Sequence, residues 1–118
     1  MTIFKVITTQ DWQAAQQAGH YEGSADDKRD GFIHFSTAEQ LAETLRKHFA
    51  GARDLMLLYV RDASIEPREA LRWEPSRGGA LFPHLYGVLP LAAVQRVEAL
   101  TLDARGLHVL PELAMTGA

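Results

Sequence analysis

The run Leu55-Met56-Leu57-Leu58-Tyr59-Val60 constrains the fold most. Side chains along a strand point alternately to two faces, so a strand with one wet face alternates apolar and polar residues. This run does not alternate and reads as a central strand buried on both faces. It is the longest uninterrupted apolar stretch, and it is far too short to cross a bilayer.

The elements around it follow from spacing and end signals. Ile3 to Thr8 reads as a first strand, and Thr9 as the cap of a helix running to about Gln17, with Trp12 and Ala15 on its inner face and Gly19 as its stop. Leu41, Leu45 and Phe49 form one stripe that predicts a helix from about Ala38 to Ala50. Thr37 and Gln40 have capping-box spacing at its start, Glu43 can pair with Lys47, and Gly51 can terminate it. Between His20 and Asp30 the chain reads as a solvated loop. The second half is strand-rich: Leu71 to Glu74 ended by Pro75, Leu81 to Tyr86, and a closing hairpin of Val94–Leu102 and Gly106–Leu110. Arg61 to Ala70 reads as a loop with at most one helical turn, and residues 111–118 as a frayed tail after a single α+β domain over 1–110.

Composition narrows the function classes. The chain has 118 residues, 47% of them apolar and 23% charged, which is the make-up of one ordinary globular domain. A net charge of −3 without a basic stripe argues against a nucleic-acid partner, and no membrane association is expected. The absence of cysteine excludes thiolate catalysis and cysteine-ligated metals, and with no signal-peptide pattern at the start it makes the cytoplasm the expected location. The expected partner is a small molecule, and the oligomeric state is left open.

Three segments carry candidate chemistry. In Asp30-Gly31-Phe32-Ile33-His34-Phe35-Ser36-Thr37, a turn leads into a strand that directs Ile33 and Phe35 to a core and Phe32, His34 and Ser36 to the other face, then runs into a helix. The free amides of such a helix start suit a phosphate or carboxylate; the alternative for His34 is a hydrogen-bonded core histidine. In Leu81-Phe82-Pro83-His84-Leu85-Tyr86-Gly87, alternation places Phe82, His84 and Tyr86 together, either as a surface for a heteroaromatic ring and a sugar or as an aromatic core stripe. In Trp73-Glu74-Pro75, partial desolvation beside Trp73 would raise the pKa of Glu74 for acid–base work, unless Glu74 is simply exposed. His34, Glu74 and His84 make a conceivable two-histidine, one-carboxylate metal set, but no short ligand spacing supports it and no metal is expected.

Taken in order, Ile3-Phe4-Lys5-Val6, Trp12, Gly31 to Thr37 with Gln40, Leu71-Arg72-Trp73-Glu74 and Phe82-Pro83-His84-Leu85-Tyr86-Gly87 resemble the bacterial family known as domain of unknown function 952, over roughly residues 3–100. The resemblance implies an ADP-ribosyltransferase-like fold: a split, curved, antiparallel-rich sheet with two main helices and a central cleft that holds NAD in the transferase enzymes. It further implies that His34 holds a ribose hydroxyl or the nicotinamide amide, that Ser36 and Thr37 line the cleft, that Tyr86 stacks on the nicotinamide and that Glu74 is the catalytic acid. NAD is then the substrate, and the reaction is cleavage of the nicotinamide–ribose bond by an ADP-ribosyltransferase or NAD glycohydrolase through an oxocarbenium-like transition state. Two departures from those enzymes stand out: Lys5 where they usually carry His or Arg, and Leu71-Arg72-Trp73-Glu74 where many carry a Gln/Glu-x-Glu turn. Alternatives are a module that binds a metabolite without catalysis and a metal-dependent hydrolase using His34, Glu74 and His84.

Overall fold

The computed structural model describes residues 1–115, the side chains of Arg77, Leu113 and Met115 excepted. In chain order its elements are β1 (Thr2–Thr8), α1 (Thr9–Ala18), β2 (His20–Tyr21), α2 (Ala25–Asp30), β3 (Ile33–His34), α3 (Ala38–His48), β4 (Leu55–Arg61), β5 (Leu71–Pro75), β6 (Leu81–Leu85), β7 (Leu89–Pro90), β8 (Val94–Leu102), β9 (His108–Val109) and α4 (Glu112–Met115). The strands form an antiparallel sheet β1-β4-β8-β9, an antiparallel sheet β3-β6-β5 and a small ribbon β2-β7. The two larger sheets meet at one bridge, where Phe4 and Ser36 exchange backbone hydrogen bonds of 2.8 and 2.9 Å. The result is a curled antiparallel sheet in an α+β domain, split beside that bridge.

The non-alternating run occupies the middle of this sheet, as its sequence requires. Leu58 and Val60 of β4 join Ile3 and Ile7 of β1, Ala15 of α1 and Ile33, Phe35 and Leu85 in one core. Leu55, Leu57 and Tyr59 join Phe4, Val6 and the α3 residues Leu41 and Leu45 in a second core on the opposite face. Burying each such side chain stabilises by about 1.5–3 kcal/mol, so β1 and β4 are anchored from both sides.

End signals locate the helices to within a residue or two. Thr8, one residue before the expected cap, accepts from the Asp11 amide at 3.0 Å, and Gly19 ends α1 with φ of 85°. The Thr37–Gln40 capping box forms, and α3 stops at His48 with Phe49 as its cap, short of Ala50. Glu43 and Lys47 pair at 3.3 Å.

Two expectations are corrected. The stretch expected to be a solvated loop contains α2, because Ser24 and Asp27 close a reciprocal capping box that starts a helix without any apolar stripe. Besides the two main helices expected, the chain therefore forms a third. Near the C-terminal end Glu112–Met115 form a turn of helix whose Ala114 is buried in the second core; residues 116–118, part of the segment read as a frayed tail, lie outside the described residues. Between Arg61 and Ala70 there are two short turns of 3-10 helix, Asp62–Ser64 and Arg68–Ala70, where one was expected at most. Among the described residues no helix is long and apolar enough to cross a membrane.

Candidate functional site

Backbone geometry decides what happens where the sheet splits. Phe35 donates its N–H to the Pro83 carbonyl of β6 at 3.0 Å, and Ser36, one residue on, turns the other way to Phe4 of β1. Since successive N–H groups of a strand point to opposite sides, that of His34 also faces the β1 side. There β1 has diverged, and the gap is filled by the side chain of Asp27, whose Oδ1 accepts from the His34 N–H at 3.2 Å.

That carboxylate is the hub of the site. Its Oδ1 lies 2.6 Å from His34 Nδ1 and 3.1 Å from Lys5 Nζ, while its Oδ2 lies 2.8 Å from Lys5 Nζ and accepts the Ser24 amide at 2.9 Å. Asp27 is 2% exposed and Lys5 6%. Burial by itself would raise the pKa of Asp27, but the His34 hydrogen bond and the Lys5 charge outweigh it and hold the carboxyl well below the usual range. Burial lowers the pKa of Lys5, with Asp27 opposing. The second ring nitrogen of His34, Nε2, lies 3.0 Å from Asp30 Oδ2. With both nitrogens against carboxylates, only the imidazolium form can donate to both.

His84 is the direct cross-strand partner of His34, so the two side chains leave the sheet on the same face; their ring centroids are 5.6 Å apart. The His84 ring stacks on Phe32 at 4.1 Å and an interplanar angle of 21°. Its Nδ1 lies 2.8 Å from Glu74 Oε1, and the Tyr86 hydroxyl donates to the same oxygen at 2.8 Å. These two hydrogen bonds lower the pKa of Glu74. This corrects the expectation of a raised value, because Glu74 sits among donors instead of in an apolar pocket.

A cavity of about 280 Å³ opens at the split, lined among others by Lys5, Asp27, His34, Ser36, Phe82 and His84. The structure thus brings three of the expected residues, His34, Ser36 and His84, onto one surface. Ser36 Oγ is bonded to Thr44 Oγ1 at 2.8 Å. Glu74 and Tyr86 stand behind His84, outside the lining, and Tyr86 carries the Arg72 guanidinium 4.7 Å from its ring centre. Thr37 also lies outside the lining. Its amide is taken by Gln40 Oε1 at 3.0 Å, its hydroxyl accepts from the Gln40 amide, and Gln40 Nε2 donates to the Leu81 carbonyl at 2.8 Å. At the start of α3, expected to offer free amides to an anion, the box takes the Thr37 and Gln40 amides and Gln40 ties the helix end to β6.

Sequence reasoning missed Asp27, Lys5 and Asp30, and it placed His48, part of the cavity lining, simply at a helix end. The available signals were the Ser24-x-x-Asp27 capping spacing and a lysine in the middle of an apolar strand. Among the described residues no group of three or more His, Asp or Glu side chains is placed to hold a metal ion, so His34, Glu74 and His84 do not form a ligand set.

A family model described as protein of unknown function (DUF952) matches residues 6–97. A comparison with curated proteins finds no match. The X-ray structure of protein CC0527 from Caulobacter crescentus is 47% identical in sequence, with a TM-score of 0.85 over 92% of this chain and 94% of that one. The solution NMR structure of CC0527 is 46% identical, with a TM-score of 0.79 over 95% of this chain and 92% of that one. On the residues matched, the chain belongs to the DUF952 family.

Proposed function

We propose that the cavity at the sheet split binds an NAD-like nucleotide, and that the split, curled sheet is of the ADP-ribosylation type. The observation that carries this reading is the cross-strand pair His34 and His84, two polar rings on one face of adjacent strands lining one cavity. A volume of about 280 Å³ is at the small end for ligand pockets. It suits the nicotinamide–ribose end, with the remainder of the dinucleotide lying along the mouth. His34, Ser36 and His84 then supply the polar contacts, and Phe82 offers an aromatic surface.

Two versions of the reading differ in turnover. In the first, the nicotinamide–ribose bond is cleaved and Glu74 supplies the negative charge that stabilises the oxocarbenium-like ribose. In the second, the site binds without cleaving. The position of Glu74 outside the lining, with its Oε1 held by His84 and Tyr86, favours the second.

A thermal-shift series with NAD, ADP-ribose and nicotinamide tests the reading. A ligand at a hundred times its dissociation constant stabilises by about 2.7 kcal/mol and raises the melting temperature accordingly. NAD or ADP-ribose should do this for the native chain and not for His34→Ala. If none of the three shifts the melting temperature, the nucleotide reading is withdrawn. Release of nicotinamide from NAD on prolonged incubation separates the two versions.

A further inference from the structure

The two histidines of the cavity are built alike on one side of the ring and differently on the other. Each has Nδ1 against a carboxylate, Asp27 for His34 at 2.6 Å and Glu74 for His84 at 2.8 Å. In His34 the opposite nitrogen, Nε2, lies 3.0 Å from Asp30 Oδ2 on a side chain that is 37% exposed. In His84 it has no hydrogen-bond partner among the described residues. His84 lines the cavity and Glu74 does not, and with Nδ1 taken by Glu74 the nitrogen left to meet a group in the cavity is Nε2. Stacking on Phe32 and the bond to Glu74 fix the ring in that orientation, and the side chain is otherwise buried, with 5% of the residue exposed.

We propose that His84 acts as a general base toward a hydroxyl group or water held in the cavity, with Glu74 as its positioning residue. A carboxylate that accepts Nδ1–H selects the tautomer whose Nε2 lone pair is free, which is the form a base needs. In the step, the O–H bond of the ligand or water breaks and an N–H bond forms at Nε2. The oxygen keeps the electron pair, and Nδ1–H remains on Glu74 Oε1, so the imidazolium that forms is stabilised without a second proton transfer. The ligand class is one that presents a hydroxyl, or an electrophilic centre for an activated water, beside His84. This goes beyond the nucleotide reading and does not need NAD to be the ligand. It also gives Glu74 a role other than direct contact with the reacting atoms.

The test needs no substrate. Long-range proton–nitrogen NMR of the histidine rings in the intact chain, at slightly alkaline pH, reads the tautomer of each ring. Acylation by diethyl pyrocarbonate followed by peptide mapping reads which histidine ring the reagent reaches. In the native chain His84 should carry its ring proton on Nδ1 and should be acylated, with circular dichroism reporting that the chain is folded. In Glu74→Gln with a native circular dichroism spectrum, acylation of His84 should slow by about tenfold, as expected when a charge-assisted bond gives way to a neutral one. A proton on Nε2 of His84 in the native chain, or a His84 that reacts only once the chain is unfolded, would overturn the proposal. So would an unchanged rate in folded Glu74→Gln.

Discussion

Asp27 stands in for a missing strand beside His34. Its Oδ1 takes the backbone N–H of His34 at 3.2 Å and lies 2.6 Å from the ring Nδ1, so one side chain ends the sheet and sets the orientation of the histidine. The cavity is a consequence of the same feature, because the space that a continuous ladder would close is held open by Asp27 and Lys5.

Asp27→Ala should therefore destabilise the chain by about 3–5 kcal/mol, because it leaves the buried Lys5 ammonium without its counter-ion. Urea unfolding gives the number. The double change Lys5→Met with Asp27→Leu should recover part of the loss, since a buried ion pair is replaced by apolar groups. A single variant with native stability would mean that the pair is not formed in solution.

Stability should fall in acid, and the sign follows from Asp27. Its folded-state pKa lies below the unfolded value of about 3.9, so the unfolded chain binds more protons as the pH falls. The contribution is fully present above the unfolded pKa and is lost as pH drops through it toward the folded value. Glu74 shifts in the same direction from a more exposed position. Urea midpoints should hold from about pH 7 to 5 and decline below that, with a shallower decline in Asp27→Asn. An equal acid slope in the variant would contradict the assignment.

Thr37→Ala should cost about 0.5–2 kcal/mol through loss of the α3 cap. Circular dichroism and denaturant unfolding together measure it. No loss of stability would show that the capping box contributes nothing.

Leu58→Ala should cost about 2–5 kcal/mol, because Leu58 is fully buried in the first core on the central strand. A cost below about 1 kcal/mol, the range of exposed sites, would place that strand at an edge.

Features set by local periodicity were legible before the structure. The stripe of Leu41 and Leu45, the box at Thr37 and Gln40, and the unbroken apolar run at Leu55 to Val60 each depend on neighbours in the chain and appear where expected. Two residues of the site were legible for the same reason: His34 and His84 sit on recognisable strands whose alternation gives their faces, while their cross-strand pairing is a register that neither strand's own pattern contains. Asp27 was not legible. In Asp26-Asp27-Lys28 it reads as one charge in a solvated run, and its burial depends on Lys5, 22 positions away, and on a strand that turns aside. A helix held by buried charge carries no apolar period to read. The environment of Glu74 was misjudged for a similar reason, since its donors His84 and Tyr86 come from across the sheet.

The cavity at the split is proposed as a ligand site. Titrating nitrogen-15-labelled protein with NAD and with ADP-ribose, and following the backbone amides, tests this most directly. Saturable shifts are expected, concentrated at Lys5, Asp27, His34, Ser36 and His84, with the amides of β9 unmoved. Spectra unchanged at millimolar ligand, or shifts confined to residues away from the cavity, would contradict it.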